Sequence, residues 1–350
     1  MLFRSAMVPA MLSGPSDQID LATVERILVV KLRHHGDVLL TSPLFALLKA
    51  RAPHAKIDAL VYADTREMLS GHPAIDQIHC IDRQWKSRGA LARIGKEWTL
   101  FLQLRRRRFD LLIHLSEHPR GAWLARALGC RHAVAPGYSA KPDFWRNSFT
   151  HLVTLPRNAL RHVVEWNLDA LRRIGIQPEP GERKLLLVPG EPAKLRVAEL
   201  LRTHGIEQGR FVVFHPTSRW QFKCWPAAKV AAALDELVDQ GVRVVLTAGP
   251  SKDERQYVAA VRGHSNRWAE VIDLSGQLSL KELAEVLSSA QLFVGVDSAP
   301  MHMAAAVGTP VVAMFGPSGD VEWGPWQVPH RVVKSQIHPC RPCGNDGCGG

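Results

Sequence analysis

The sequence contains no apolar run approaching the roughly 18–20 residues needed to cross a bilayer, so no membrane span is expected. The opening MLFRSAMVPAMLSGPSD makes a poor secretory signal, because it carries one early Arg and is broken by Pro9, Gly14 and Pro15. A cytoplasmic location is therefore the default. A G-x-G-x-x-G fingerprint is missing, which removes the main support for a nicotinamide dinucleotide. The basic residues are dispersed and form no nucleic-acid recognition motif, so nucleic acid is not an expected partner. Cysteine is sparse. Cys80, Cys130 and Cys224 are scattered, as reduced structural thiols usually are, while Cys340, Cys343 and Cys348 cluster at the end. That C-x2-C-x4-C tail could hold zinc with His338 or be an unligated loop, and its spacing is a weak metal signal. Acidic residues are outnumbered, with 33 Asp and Glu against 44 Lys and Arg, and the net charge of +11 predicts an anionic partner.

What is present fits a soluble α/β protein of two domains: 350 residues, 46% hydrophobic and 22% charged. Residues 1–24 are expected to be a disordered leader. Strands are expected at 26–31, 56–62, 76–81 and 110–115, with a short edge at 133–136 and helices at 38–51 and 163–174. A Pro-rich stretch around 175–181 reads as the hinge, giving domains 25–178 and 179–350. The second half again alternates. Strands are expected at 184–188, 211–215, 243–247, 271–274, 292–296 and 311–315, with helices at 192–204, 226–239, 252–261, 280–288 and 299–307. Two doubly wound domains facing across a cleft are the economical architecture.

Residues 87–108 carry two readings. Leu91, Ile94, Trp98, Phe101 and Leu102 share one helical face, and the run ends in four arginines, Arg105 to Arg108. The helix either packs on the sheet with its cations suiting its dipole, or meets an anionic membrane surface or acceptor.

The chemistry concentrates in segments that follow predicted strands, where open α/β sheets bind ligands. Gly36-Asp37 comes from the first half. Thr217-Ser218 leading to Lys223-Cys224-Trp225-Pro226, then Gly249-Pro250-Ser251-Lys252, come from the second. The centre of the pattern is QLFVGVDSAPMHMAAAVGTPVVAMFGP, residues 291–317, read as strand, turn, helix, strand. Ser298 and Pro300 suit a helix start whose free amides hold phosphate, with Asp297 and His302 beside it. Each residue also has a plainer reading: Asp37 and Asp297-Ser298 as caps, Lys223 as a surface lysine, His302 as a core histidine.

The combination RILVVKLRHHGDVLLTSPL, HPTSRWQFKCWP and GVDSAPMHMAAAVGTPVVAMFGPSG resembles glycosyltransferase family 9, the ADP-heptose:lipopolysaccharide heptosyltransferases. WGPW at Trp323 to Trp326 and the cysteine tail resemble its third, branch-adding subgroup most. The resemblance implies a GT-B fold of two Rossmann-like domains, the first binding acceptor and the second nucleotide-sugar. It also implies an inverting, metal-independent transfer of heptose from ADP-L-glycero-beta-D-manno-heptose to the inner-core heptose of lipopolysaccharide, with no cofactor. Asp37 matches the family's general base. Lys223 matches the donor-phosphate contact, with Thr217 and Ser218 in the same pocket, and Asp297, Ser298, Ala299, Met301 and His302 surround the diphosphate. The acceptor is anionic and membrane-linked, which gives the positive charge a purpose. Arg120 is the leading acceptor-binding candidate, with Arg105 to Arg108, Lys141 and Arg146 behind it, and the enzyme would sit peripherally on the inner leaflet. Two other readings stay within the architecture: a nucleotide-sugar epimerase or hydrolase, and a non-catalytic nucleotide-binding protein at the membrane.

Overall fold

The computed structural model describes residues 16–87, 90–137, 141–154 and 160–344. The first sheet is built from β1 (Arg26–Val30), β2 (Lys56–Tyr62), β3 (Gln77–Ile81), β4 (Leu111–His114), β5 (His132–Pro136) and β6 (His151–Val153), in the order β3-β2-β1-β4-β5-β6. The second contains β7 (Val212–His215), β8 (Val244–Leu246), β9 (Ile272–Asp273), β10 (Leu292–Val296), β11 (Val311–Phe315) and β12 (His330–Lys334), in the order β12-β11-β10-β7-β8-β9. All ten pairings are parallel. Read from β9 inward, the second order repeats the first. Each sheet therefore reverses direction once, between β1 and β4 and between β7 and β10, and opens a crevice at the strand carboxyl ends.

The strands are short apolar runs because both sheet faces are covered. In β1, Leu28 and Val30 face a cluster with Leu104, Leu112 and Trp145, while Ile27 and Val29 face another containing Leu44 and Leu168. That second cluster continues into the other domain through Leu185, Leu187, Phe211 and Met301. Apolar packing thus joins the domains as well as filling them.

Several expectations are corrected. Part of the supposed leader is ordered: Ile19 and Val24 are buried, the Ile19 amide donates to the Ile174 carbonyl at 3.2 Å, and Arg173 holds Asp17 in a two-bonded ion pair. The spacing of Ile19 and Val24 lets this segment close over the helix Val163–Arg173, a tertiary contact invisible to local composition. Residues 1–15 lie outside the described residues. The single helix expected at 38–51 is two, His35–Leu39 and Ser42–Arg51, because Pro43 cannot continue a helix begun upstream and instead fits a first turn. Residues 184–188 form no strand. Leu185 and Leu187 are buried, but the Leu186 amide donates to Ser42 Oγ and the Val188 carbonyl accepts from Lys281, so the segment straps the two domains. The strands β6 and β12 were not anticipated.

Candidate active site

Six of the expected residues, Asp37, Lys223, Asp297, Ser298, Ala299 and His302, converge where the two crevices meet. The short helix His35–Leu39 follows β1, the helix Ala299–Ala306 follows β10, and the two pack against each other. Gly36 makes this possible: a Cβ there would lie 2.9 Å from His302 Cδ2 and 3.9 Å from Ala299 Cα. The glycine is needed for close approach across the cleft, not for an unusual turn.

Asp297 follows β10 and is buried, and Lys223 Nζ donates to its Oδ2 at 2.6 Å. Lys223 reaches it from the 3-10 turn Gln221–Lys223, beside Trp220 and Phe222. Ser298 occupies the N-cap position, yet its hydroxyl donates back to the Val296 carbonyl and does not cap the helix. Pro300 has no N–H and the Met301 amide donates to the Ser298 carbonyl at 3.1 Å, so in the first turn it is the Ala299 amide that is left to a ligand. His302 is buried and its Nδ1 has no protein partner. Burial holds its pKa below the ordinary histidine value; the Asp297 and Asp37 carboxylates oppose the shift and Lys223 adds to it. Both carboxylates and the ammonium thus act on one neutral imidazole, so Asp37, Lys223, Asp297 and His302 are one electrostatic site.

Asp37 differs from Asp297. Its side chain is 15% exposed and its closest cation is Arg33, 4.0 Å away with a side chain 60% exposed. Beneath it lies Lys31, which the strand pattern had shown only as the end of β1. Its Nζ is fully enclosed and donates to the Leu115 carbonyl and to Asn167 Oδ1, each at 3.0 Å, and Asn167 in turn donates to the Leu40 carbonyl. Burial pushes the Lys31 pKa down to about 8, against the pull of Asp37. This chain of bonds fixes the joint between the two helices after β1. A lone lysine closing an apolar strand was the available signal.

The remaining residues fall elsewhere. Thr217 and Ser218 follow β7 but are buried: Thr217 Oγ1 donates to Glu254 at 2.7 Å, and Ser218 Oγ accepts the Trp220 amide. Glu254 also accepts the Gly249 amide, so Thr217 ties the loops after β7 and β8 together. Met301 is fully buried under the helix. Arg120 lies apart, starting the helix Arg120–Leu128 and paired with Glu97 at 2.5 Å. Cations nearer Asp37 went unremarked in the sequence. Arg83 donates to the Arg33 carbonyl and stacks on Tyr62, and Arg219 reaches across the cleft to His34 at 3.3 Å. Cys340 and Cys343 are free thiols, and Cys348 lies outside the described residues. Among the described residues no group of three His, Cys, Asp or Glu side chains is placed to hold a metal ion.

Comparison with known proteins decides the family. Residues 97–349 match the family model described as "Glycosyltransferase family 9 (heptosyltransferase)". The chain belongs to glycosyltransferase family 9. It is 38% identical over 296 residues to lipopolysaccharide heptosyltransferase 3 of Escherichia coli, covering 84% of each chain. Among solved structures, a family 9 glycosyl transferase from Veillonella parvula superposes with a TM-score of 0.80 at 24% identity, covering 91% of this chain and 88% of that one. E. coli heptosyltransferase WaaC with ADP gives 0.71 at 21% identity, covering 89% and 93%. This glycosyltransferase has the GT-B fold, and within its family it is most like the third heptosyltransferases.

Proposed function

We propose that this glycosyltransferase moves heptose from ADP-L-glycero-beta-D-manno-heptose to a heptose of the lipopolysaccharide inner core, with inversion and without a metal. The observation that carries the reading is the opposition of Asp37 to the Lys223–Asp297 pair across a glycine-tight domain contact. An acceptor hydroxyl beside Asp37 would lose its proton to the carboxylate as its oxygen bonds to the anomeric carbon. The bond from that carbon to the donor phosphate breaks on the opposite face, and its electron pair goes to the departing ADP. Lys223 and the Ala299 amide at the positive end of the Ala299–Ala306 helix would stabilise that growing charge. An ammonium has three donors, so Lys223 can keep Asp297 while donating to the diphosphate. Asp297 then aims the lysine and does not itself take a proton. Thr217 acts through Glu254 as a positioning residue.

The acceptor's anionic groups would meet Arg33, Arg83 and Arg219 at the mouth, with Arg120 further out. Since no helix among the described residues is long and apolar enough to cross a membrane, contact with the membrane carrying the acceptor would be peripheral. The test is ADP release from ADP-heptose in the presence and absence of heptose-deficient core acceptor. Release that depends on acceptor, with one heptose gained in the product mass, supports the transfer; equal release without acceptor would make the protein a hydrolase.

A further inference from the structure

The helix Ala90–Arg106 leaves an apolar face uncovered. Leu100 and Leu104 pack on the first sheet, whereas Ile94 and Trp98, four residues apart, are 63% and 59% exposed. Phe101, one turn further, is half-buried. This face, for which the sequence allowed either sheet packing or an anionic membrane or acceptor, borders a cavity of about 710 Å³ between this helix and Arg120–Leu128. Leu60, Ile81 and Leu104 line it, and Trp123, itself 63% exposed, stands opposite Trp98. A volume of this size falls within the roughly 300–1,000 Å³ of small-ligand sites. Soluble surfaces seldom gather large apolar groups around such a hollow without a partner.

The charges around it favour one kind of occupant. Lys96, Arg105 and Arg106 on the first helix and Arg126 on the second are exposed. The one carboxylate on the two helices, Glu97, is held by Arg120 at the cavity rim. Apolar lining, tryptophans at the mouth and a cationic surround match the chemistry of an anionic bilayer, where indoles sit at the headgroup level and acyl chains lie below.

We infer that this cavity takes an acyl chain of an anionic bilayer lipid and anchors the acceptor domain to the membrane through Trp98 and Trp123. The inference rests on the peripheral-membrane part of the proposed function and gives it a place. The helix Arg120–Leu128 follows β4, the neighbour of β1, so the anchor belongs to the domain that bears Asp37.

The test uses the full chain with vesicles of phosphatidylethanolamine and phosphatidylglycerol, the latter brominated on its acyl chains. Tryptophan emission of the wild type should be quenched on binding, and most of that quenching should vanish in Trp98→Phe/Trp123→Phe. Trp98→Glu/Trp123→Glu should bind the same vesicles at least about tenfold more weakly. ADP titration of each variant should be unchanged, which reports the donor site separately and shows that the variants are folded. Binding without acyl-chain quenching, or equal quenching in the double Phe variant, would overturn the inference. So would a self-association broken by the glutamates in a protein that ignores the vesicles.

Discussion

Each domain places a carboxylate beside its switch point, after the first strand in one and after the fourth in the other, and the two are held oppositely. Asp297 is buried and bonded to Lys223 at 2.6 Å. Asp37 has only a solvent-exposed arginine at 4.0 Å. One oxygen of Asp297 is thus already taken by the Lys223 ammonium. In the proposed transfer Asp37, with no cation nearer than Arg33 at 4.0 Å, is the carboxylate open to an incoming hydroxyl. In the proposed mechanism one topology yields a base on one side and an anchored cation on the other, and the difference lies in which residue arrives from the neighbouring loop.

The largest effect should come from Asp37→Asn, which keeps the shape and removes the base. Transfer should fall by about 10²–10⁴-fold while ADP affinity stays within about twofold, measured by steady-state kinetics and calorimetry. Lys223→Ala should come next, with about 10²-fold lost in kcat and ADP binding weakened in the same preparation. Unchanged ADP affinity would remove the lysine from the phosphate site. Asp297→Asn keeps the lysine but loosens its aim, and should cost about 10–100-fold, mostly in donor KM. Were Asp297→Asn to match Asp37→Asn in kcat alone, the two carboxylates would have been assigned the wrong way round.

Gly36→Ala sharpens the comparison by separating its halves. The added Cβ meets the buried His302 ring at 2.9 Å, so the ring or the helix contact that carries it must shift. Overpacking of this kind costs about 1–3 kcal/mol, and a drop of about tenfold in kcat/KM with both ligands still binding is expected.

A last effect, read in stability and not in turnover, is one that the domains should share. His114 ends β4 and His215 ends β7, and burial holds their pKa values down to about 3 and about 4. Each folded value lies below the ordinary 6.5, so the unfolded chain binds more protons at acid pH. Stability present above about pH 6.5 is therefore lost as pH falls below it, by up to about 1.4 kcal/mol per pH unit for each histidine. Urea unfolding at pH 7 and pH 5 reads this directly, and equal stability at both would show that the histidines are charged in the fold.

The repeated strand-and-helix alternation was legible because strands buried on both faces must be short apolar runs, and β2, β10 and β11 begin and end where the pattern puts them. The short strands β6 and β12 were not, since HLV and HRVVK owe their state to an edge they join. Residues 184–188 misled for a related reason: alternating burial is satisfied as well by a strap between helices as by a sheet. At the site, Asp37, Lys223, Asp297 and His302 could be nominated because each follows a strand. Their partners could not. That Lys223 faces Asp297, that Thr217 faces Glu254, and that Lys31 meets Asn167 are contacts across 37 to 136 residues of chain, which no local pattern encodes.

The division of labour between the two carboxylates is tested most directly by single-turnover release of ADP from ADP-heptose bound to Asp37→Asn in the presence of core acceptor. The account predicts that donor binds with wild-type affinity and that the release step slows by at least about 10²-fold. Release at the wild-type rate would contradict it and pass the role of base to another group in the cleft.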